Sequence, residues 1–283
     1  MTPVSRTRTR AVETLSLDAV DTRNALSAAL VADLSAALAD CARDPGVRAV
    51  VLTHTGNTFC AGADLRDPPA PDAMTALLRL ILELPKPVVA RITGHVRAGG
   101  LGLVGACDLA AASAAASFAF TEVRIGVAPA LISLPLIPRA DPRALARYCL
   151  TGERFGAAEA VRAGLITLAA DAADGPEATA AADGADAPDG PDGADAPNGP
   201  DGADAPDGPD GVDHALAPVL DGLRRSAPEA LAATKRLLTA RVLETFDRDA
   251  AEVTALSARL FSTAQAREGM TAFLERRDAA WVV

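Results

Sequence analysis

The sequence predicts an α/β fold, and three observations carry that prediction. Strand and helix signals alternate through the first half of the chain. Two of the strand signals are continuous apolar runs of the kind buried on both faces of a parallel sheet, and the chain from about 212 onward has helical periodicity throughout.

Taken in order, Val12 to Leu17 alternates apolar and polar residues, as a half-buried strand does. Ala25 to Cys41 then carries apolar residues at Leu26, Leu30, Leu34 and Leu38, a helical spacing for which Asn24 is the expected N-cap. Asp44-Pro-Gly ends it. Ala49 to Thr53 is an apolar strand, Ala73 to Leu84 a helix stopped by Pro85, and Val88 to Ile92 a second buried strand. Helical spacing returns at Leu216 to Leu223, Pro228 to Val242, Asp249 to Phe261 and Ala264 to Arg276. These last segments are expected to form a small helical subdomain docked on the sheet or on a neighbouring subunit.

Composition bounds the function. The 283 residues are 49% hydrophobic but only 3% aromatic, so the core must be built largely from Ala, Leu and Val. The net charge of −10 is local in origin. Residues 171 to 213 hold thirteen Asp or Glu and no Lys or Arg, and the remainder has 27 basic against 24 acidic residues. Such a near-neutral balance gives no electrostatic reason to expect a nucleic-acid partner. Cys41, Cys60, Cys107 and Cys149 lie far apart and read as small buried apolar residues in a reducing compartment. His54, His95 and His214 lack metal-ligand spacing, and no metal is expected. No stretch approaches the roughly 20 apolar residues of a membrane span. The basic N-terminus reads as an exposed lead-in to the first strand rather than a cleaved signal, and a cytoplasmic location is expected.

Asp-Gly-Ala-Asp-Ala-Pro-Asp-Gly-Pro stands at 183–191, recurs with Asn for one Asp at 192–200, and recurs again at 201–209. A stretch with so little to bury and such like-charge density is expected to be disordered over 171–211, an expanded loop between a core at 1–170 and helices at 212–283. A calcium-binding β-roll would need paired glycines and a large apolar residue in each unit, which these repeats lack. Removing the segment is expected to change neither fold nor activity.

The residues that bear chemistry follow the strands. Phe59-Cys-Ala-Gly-Ala-Asp-Leu comes shortly after one buried strand, and small residues there let backbone N–H groups approach a ligand closely. Gly99-Gly-Leu-Gly opens an apolar helix after the next, where free N–H donors and the positive end of the helix dipole meet. No Gly-Lys-Ser/Thr follows, so a phosphate P-loop is excluded. Glu122 lies near a short strand end, where a lone carboxylate is ordinarily a solvated residue.

Set in the order Arg23-Asn-Ala-Leu, Phe59-Cys-Ala-Gly-Ala-Asp-Leu, Ala98-Gly-Gly, Cys107-Asp, Phe120-Thr-Glu-Val-Arg-Ile-Gly and Leu150-Thr-Gly-Glu with Gly164-Leu-Ile, these motifs resemble the crotonase superfamily of enoyl-CoA hydratases and isomerases. The resemblance covers about residues 10 to 170 closely and the helical end more loosely. It implies a crotonase-like spiral of ββα units with a C-terminal helical subdomain, assembled as a homotrimer or hexamer. The substrate would be an acyl-CoA thioester, with no further cofactor. The N–H groups of Ala63 and Gly99 would form an oxyanion hole, and Glu122 would be the catalytic acid/base. Ala61, Asp64, Leu65, Gly100 and Ala130 fall at substrate- or CoA-contacting positions. Arg276 falls where the family often places a basic residue near the CoA phosphates of an adjacent subunit.

Two-carboxylate hydratases carry a second Glu that holds the attacking water. Here that position is Gly102. The single-Glu pattern, with Val127-Ala-Pro-Ala-Leu-Ile-Ser after it, is most similar to bacterial methylglutaconyl-CoA hydratases of branched-chain or isoprenoid acid catabolism. A hydratase of this kind would anchor its water elsewhere, on the Ala130 N–H or the substrate's own carboxylate. A Δ3,Δ2-enoyl-CoA isomerase needs only the one Glu. A catalytically silent acyl-CoA-binding protein is the alternative from another class.

Overall fold

The N-terminal stretch is a strand rather than a lead-in. In the computed structural model, which describes residues 2–170 and 211–283, β1 (Val4–Thr9) pairs antiparallel with β2 (Val12–Leu17) along its whole length. The two residues between them, Arg10 and Ala11, both have positive φ (47° and 65°). A two-residue hairpin needs that geometry, yet neither residue announces it in sequence. The basic residues of β1 have a local use: Arg6 Nε and Arg8 Nε pair with Glu13 at 3.1 and 2.6 Å. They charge an edge strand, which discourages further pairing.

From β2 the chain winds through two sheets. Each turn of β3 (Ala49–His54), β4 (Thr58–Cys60) and α2 (Pro71–Glu83), then β5 (Val88–Ile92), β6 (His95–Arg97) and α3 (Gly99–Ala106), places one strand in each sheet before a helix. Between β2 and β3 runs α1 (Ala28–Arg43). β7 (Leu109–Ala112) and β8 (Ser117–Ala119) repeat the pattern and lead into α4 (Ala130–Leu136) and α5 (Pro142–Thr151). β9 (Phe155–Gly156), α6 (Ala157–Arg162) and β10 (Leu168–Ala169) close the spiral. The six-stranded sheet has the order β1-β2-β3-β5-β7-β10, parallel beyond β1, and the smaller sheet the order β4-β6-β8-β9. This is the expected spiral of ββα units.

The main core lies between the large sheet and α1 to α3, with Leu15, Leu30, Leu34, Leu52, Leu77 and Leu101 fully buried. The opposite face of the sheet shows Val12, Val51, Val89 and Ala111, which α7 (Gly211–Arg225) covers with Val212 and Leu216. Both faces of β3 and β5 are therefore packed, which is why those strands read as unbroken apolar runs. The helix begins at Gly211, the last residue of the segment expected to be disordered; the rest of that segment, 171–210, lies outside the described residues.

Two helical expectations are corrected. Asn24 does not cap α1; Ser27 does, its hydroxyl accepting from the Leu30 N–H at 3.2 Å. The segments 228–242 and 249–261 form a single helix, α8 (Pro228–Phe261), because nothing between them is Gly or Pro and Phe246 continues the buried stripe. It packs along α2 and α4, and α9 (Ala264–Glu275) follows it. All four cysteines are free, with Cys149 alone partly exposed. Among the described residues, no helix is long and apolar enough to cross a membrane, and no cluster of three or more His, Cys, Asp or Glu is placed to hold a metal.

Candidate active site

The loop after β4 is aimed by residues far from it in sequence. Leu26 and Ala63 form an isolated parallel bridge in which the Leu26 N–H donates to Gly62 O (2.7 Å) and the Asp64 N–H to Leu26 O (3.0 Å). Alternation along the extended loop therefore turns the Ala63 N–H the other way, toward the cavity described below. Asn24 holds the supporting strand. Fully buried and itself at φ 55°, it accepts from the Ala19 N–H (2.8 Å) and donates to Thr55 O (3.1 Å) and Thr58 O (2.7 Å). The neighbouring Arg23 O accepts from the Ala61 N–H at 3.1 Å. Beneath the loop, burial pushes the Cys60 thiol up to about 12, so it packs rather than reacts.

Opposite stands the start of α3. Ala98 has φ 44° and ψ −117°, a conformation ordinarily left to glycine and costing on the order of 1–3 kcal/mol. That ψ sets the plane of the Ala98–Gly99 peptide and hence the direction of the Gly99 N–H. A Cβ on Gly99 would lie 2.9 Å from Leu26 Cδ1 and 3.9 Å from Ala63 N, so the two backbones are close neighbours. Neither the Ala63 nor the Gly99 N–H donates to another backbone carbonyl among the described residues. Two unused amides lining one apolar cavity are suited to a carbonyl oxygen that gains negative charge.

Glu122 enters the same cavity from a 3-10 helix, Glu122–Ile125, three residues past the end of β8. Its residue exposure is 8%, and Oε2 is buried without any partner. Desolvation raises the carboxyl from 4.5 to about 7, against which its own backbone N–H works weakly. A carboxyl so poised can take and return a proton near neutral pH. The short helix is braced from outside by α9. A Cβ on Gly269 would come within 2.5 Å of the Ile125 carbonyl carbon, and one on Gly126 within 2.8 Å of the Gln265 backbone. Only glycine permits so close a seat.

The cavity has a volume of about 370 Å³. Ala61, Ala63, Leu65, Gly99, Glu122 and Ala130, all predicted from sequence, line it together. Asp64 and Gly100 do not. Asp64 caps its own turn by accepting from the Arg66 N–H at 2.9 Å, and Gly100 is packed where a Cβ would meet Cys60 Cβ at 2.7 Å. Arg276 is the exposed residue that ends α9 at φ 56°, and Phe273 of that helix reaches the cavity instead. The Ala130 N–H is also unavailable as a water anchor, since it donates to Ala128 O at 2.7 Å across Pro129. Pro129 (φ −72°, ψ 50°) is the centre of an inverse γ-turn.

Gly102 is filled from outside. A Cβ there would lie 2.5 Å from Ile132 Cγ2 and 3.1 Å from Ile132 Cβ, so α4 occupies the space that a second carboxylate would need. Ile132 also lines the cavity. The contact of Ile132 with Gly102 joins two helices and has no signature along the chain. Leu26, Met74, Arg124 and Phe261 were missed for the same reason: they converge on the cavity only through the fold.

Comparison with known proteins agrees with this architecture. The family model described as enoyl-CoA hydratase/isomerase matches residues 7–174. An (E)-benzylidenesuccinyl-CoA hydratase from Thauera aromatica is 35% identical over 175 residues, spanning 58% of this chain and 68% of that protein. The crystal structure of an enoyl-CoA hydratase from Mycobacterium avium is 44% identical with a TM-score of 0.80, each chain covered in full. That of a carnitinyl-CoA hydratase from the same organism is 25% identical with a TM-score of 0.77, covering 99% of this chain and 98% of its own. With the spiral fold, the glycine turn and the buried Glu122 in place, the chain belongs to the enoyl-CoA hydratase/isomerase family.

Proposed function

We propose that the cavity binds an acyl-CoA thioester and moves the proton at its α carbon, with Glu122 as the acid/base and the Ala63 and Gly99 N–H groups holding the enolate oxygen. The observation that carries this reading is the buried Glu122 carboxyl, its Oε2 without a partner and its pKa raised to about 7, in a cavity lined by two amides that serve no backbone carbonyl. Binding the thioester oxygen lowers the cost of removing the α proton, and each such donor contributes on the order of 10²–10³ in rate. The reading requires no metal or prosthetic group. Within it, Ile132 against Gly102 and the engaged Ala130 N–H favour relocating a proton from the α to the γ carbon, as an isomerase does, since neither position 102 nor the Ala130 N–H can hold an attacking water.

The second reading is hydration of an α,β-unsaturated acyl-CoA, including 3-methylglutaconyl-CoA-like substrates. The hydratase names of the relatives favour it, and the benzylidenesuccinyl group of one relative carries its own carboxylate, an oxygen-rich neighbour for water. One experiment separates the readings. Incubation with a 3-enoyl-CoA should raise the absorbance of the conjugated thioester, and crotonyl-CoA or 3-methylglutaconyl-CoA should lose it only if water is added. Thioester binding with no turnover of any of the three would refute both and leave a silent binding protein.

A further inference from the structure

Among the described residues, the cavity lining includes two charged residues, Glu122 and Arg124. Arg124 lies two residues beyond Glu122 on the same 3-10 helix, so its side chain leaves the helix in a different direction from the buried carboxyl. Its stem is held flat across Gly152, where an added Cβ would meet Nε at 2.9 Å, Cγ at 3.1 Å and Cδ at 3.3 Å. Gly152 takes φ 67° as the left-handed cap of α5, so a side chain there would be strained as well as obstructed. No described carboxylate pairs with the guanidinium, and the residue is exposed at the cavity wall rather than buried. A cation braced in this way, beside an otherwise apolar cavity, is a preset partner for an anionic group on whatever fills it.

We propose that Arg124 selects acyl-CoA substrates whose acyl chain carries a second, distal carboxylate. The inference rests on the reading of Ala63, Gly99 and Glu122 as the thioester site. Distance favours the acyl end over the CoA end as the source of the anion. Arg124 lines the same cavity as the Ala63 and Gly99 amides and Glu122, so with the thioester carbonyl at those amides an anion that reaches it within the cavity belongs to the acyl chain. The CoA phosphates are separated from the thioester by the whole pantetheine arm and so lie outside a cavity of about 370 Å³. The planar guanidinium matches a carboxylate with two parallel N–H···O bonds, which a hydroxyl or methyl terminus cannot accept.

The test is titration calorimetry of the full chain with glutaryl-CoA, pentanoyl-CoA and free CoA, the two saturated thioesters having equal carbon counts and no reactive double bond. The wild-type protein should prefer glutaryl-CoA to pentanoyl-CoA by about tenfold, the scale of one exposed charge-assisted pair. Arg124→Gln should abolish that preference, and Arg124→Lys, which keeps the charge and a stem over Gly152, should retain part of it. Equal affinity of the wild type for the two thioesters would overturn the proposal. So would a parallel loss of all three ligands in Arg124→Gln, free CoA included, because that places Arg124 on the phosphates. Failure of both thioesters to bind the wild type would overturn the thioester site itself and this inference with it. Full turnover in a Glu122 variant would instead sink the proposed proton transfer while leaving the glutaryl preference intact.

Discussion

Replacing Glu122 with Gln should remove a loss of stability that the protein suffers at alkaline pH and should cripple turnover at every pH. In the folded chain the carboxyl titrates at about 7 because it is desolvated, whereas its ordinary value is 4.5. Between those values the folded protein holds a proton that the unfolded chain has released, so stability declines as pH rises from about 4.5 and the loss is complete above about 7. At 1.36 kcal/mol for each tenfold change, the ionised carboxylate costs the fold about 3 kcal/mol above neutrality. Glutamine keeps the shape and never ionises. Its own buried amide has a cost that does not depend on pH, so that cost cancels when the same pair of proteins is compared at two pH values. Urea denaturation at pH 5 and pH 8.5 should therefore show the variant gaining about 3 kcal/mol relative to wild type between the two. That corresponds to a midpoint shift on the order of 1 M. Turnover with a 3-enoyl-CoA should fall by about 10²–10⁴. An identical wild-type-to-variant difference at both pH values would refute the claim that the carboxyl is buried uncompensated.

The same group predicts a pH–rate limb near 7 whose direction reports the chemistry: kcat/KM should rise through it when Glu122 must first remove a proton from a 3-enoyl-CoA, and fall through it when it must first donate one in hydration. Gly102→Glu should lose about 1–3 kcal/mol by overpacking against Ile132, visible in thermal melts, while the double variant with Ile132→Ala should recover much of that loss and raise hydration of crotonyl-CoA. Asn24→Ala should cost about 2–3 kcal/mol in urea denaturation, since it leaves the Thr58 carbonyl and the Ala19 N–H unpaired, and should lower kcat/KM by loosening the Ala61–Ala63 backbone. Gly269→Ala should leave circular dichroism unchanged but reduce kcat, because the added methyl must push α9 away from the Ile125 carbonyl that follows Glu122.

How far the site could be read in advance depended on whether its determinants are local. Ala49–His54 and Val88–Ile92 were legible because their surroundings are uniform, with apolar atoms on both faces of the sheet. The start of α3 at Gly99 and the position of Glu122 were legible as motifs, and both fall on the cavity wall. β1 was hidden because its turn depends on the positive φ of Arg10 and Ala11, residues that carry no turn signature. Asn24 was visible within Arg23-Asn-Ala-Leu but misread, since a residue before an apolar periodic run looks like a cap. Its three hydrogen bonds join segments five to thirty-four residues apart, and only one of them is local. Asp64 and Gly100 sit in the same motifs but do not line the cavity, as alternation in the loop and packing in α3 turn them from it while their neighbours face it.

Gly102 is better understood as half of a helix contact than as a lost carboxylate. Along α3, Gly99 faces Leu26, Gly100 faces Cys60 and Val96, Gly102 receives Ile132, and Gly105 receives Leu136, whose Cδ2 would lie 2.6 Å from an added Cβ. Gly102 and Gly105 are three apart on one helix, and Ile132 and Leu136 are four apart on the other, so each pair lies on the facing side of its helix. Close approach of α3 and α4 thus depends on both glycines at once. The same α4 begins at Ala130, whose N–H is tied into the Pro129 turn, and it forms one wall of the cavity through Ile132. A carboxylate at 102 would have to displace α4, and with it the wall that shapes the acyl pocket. The single-carboxylate chemistry and the shape of the pocket are therefore two consequences of one packing contact, and a change in either should be felt in the other.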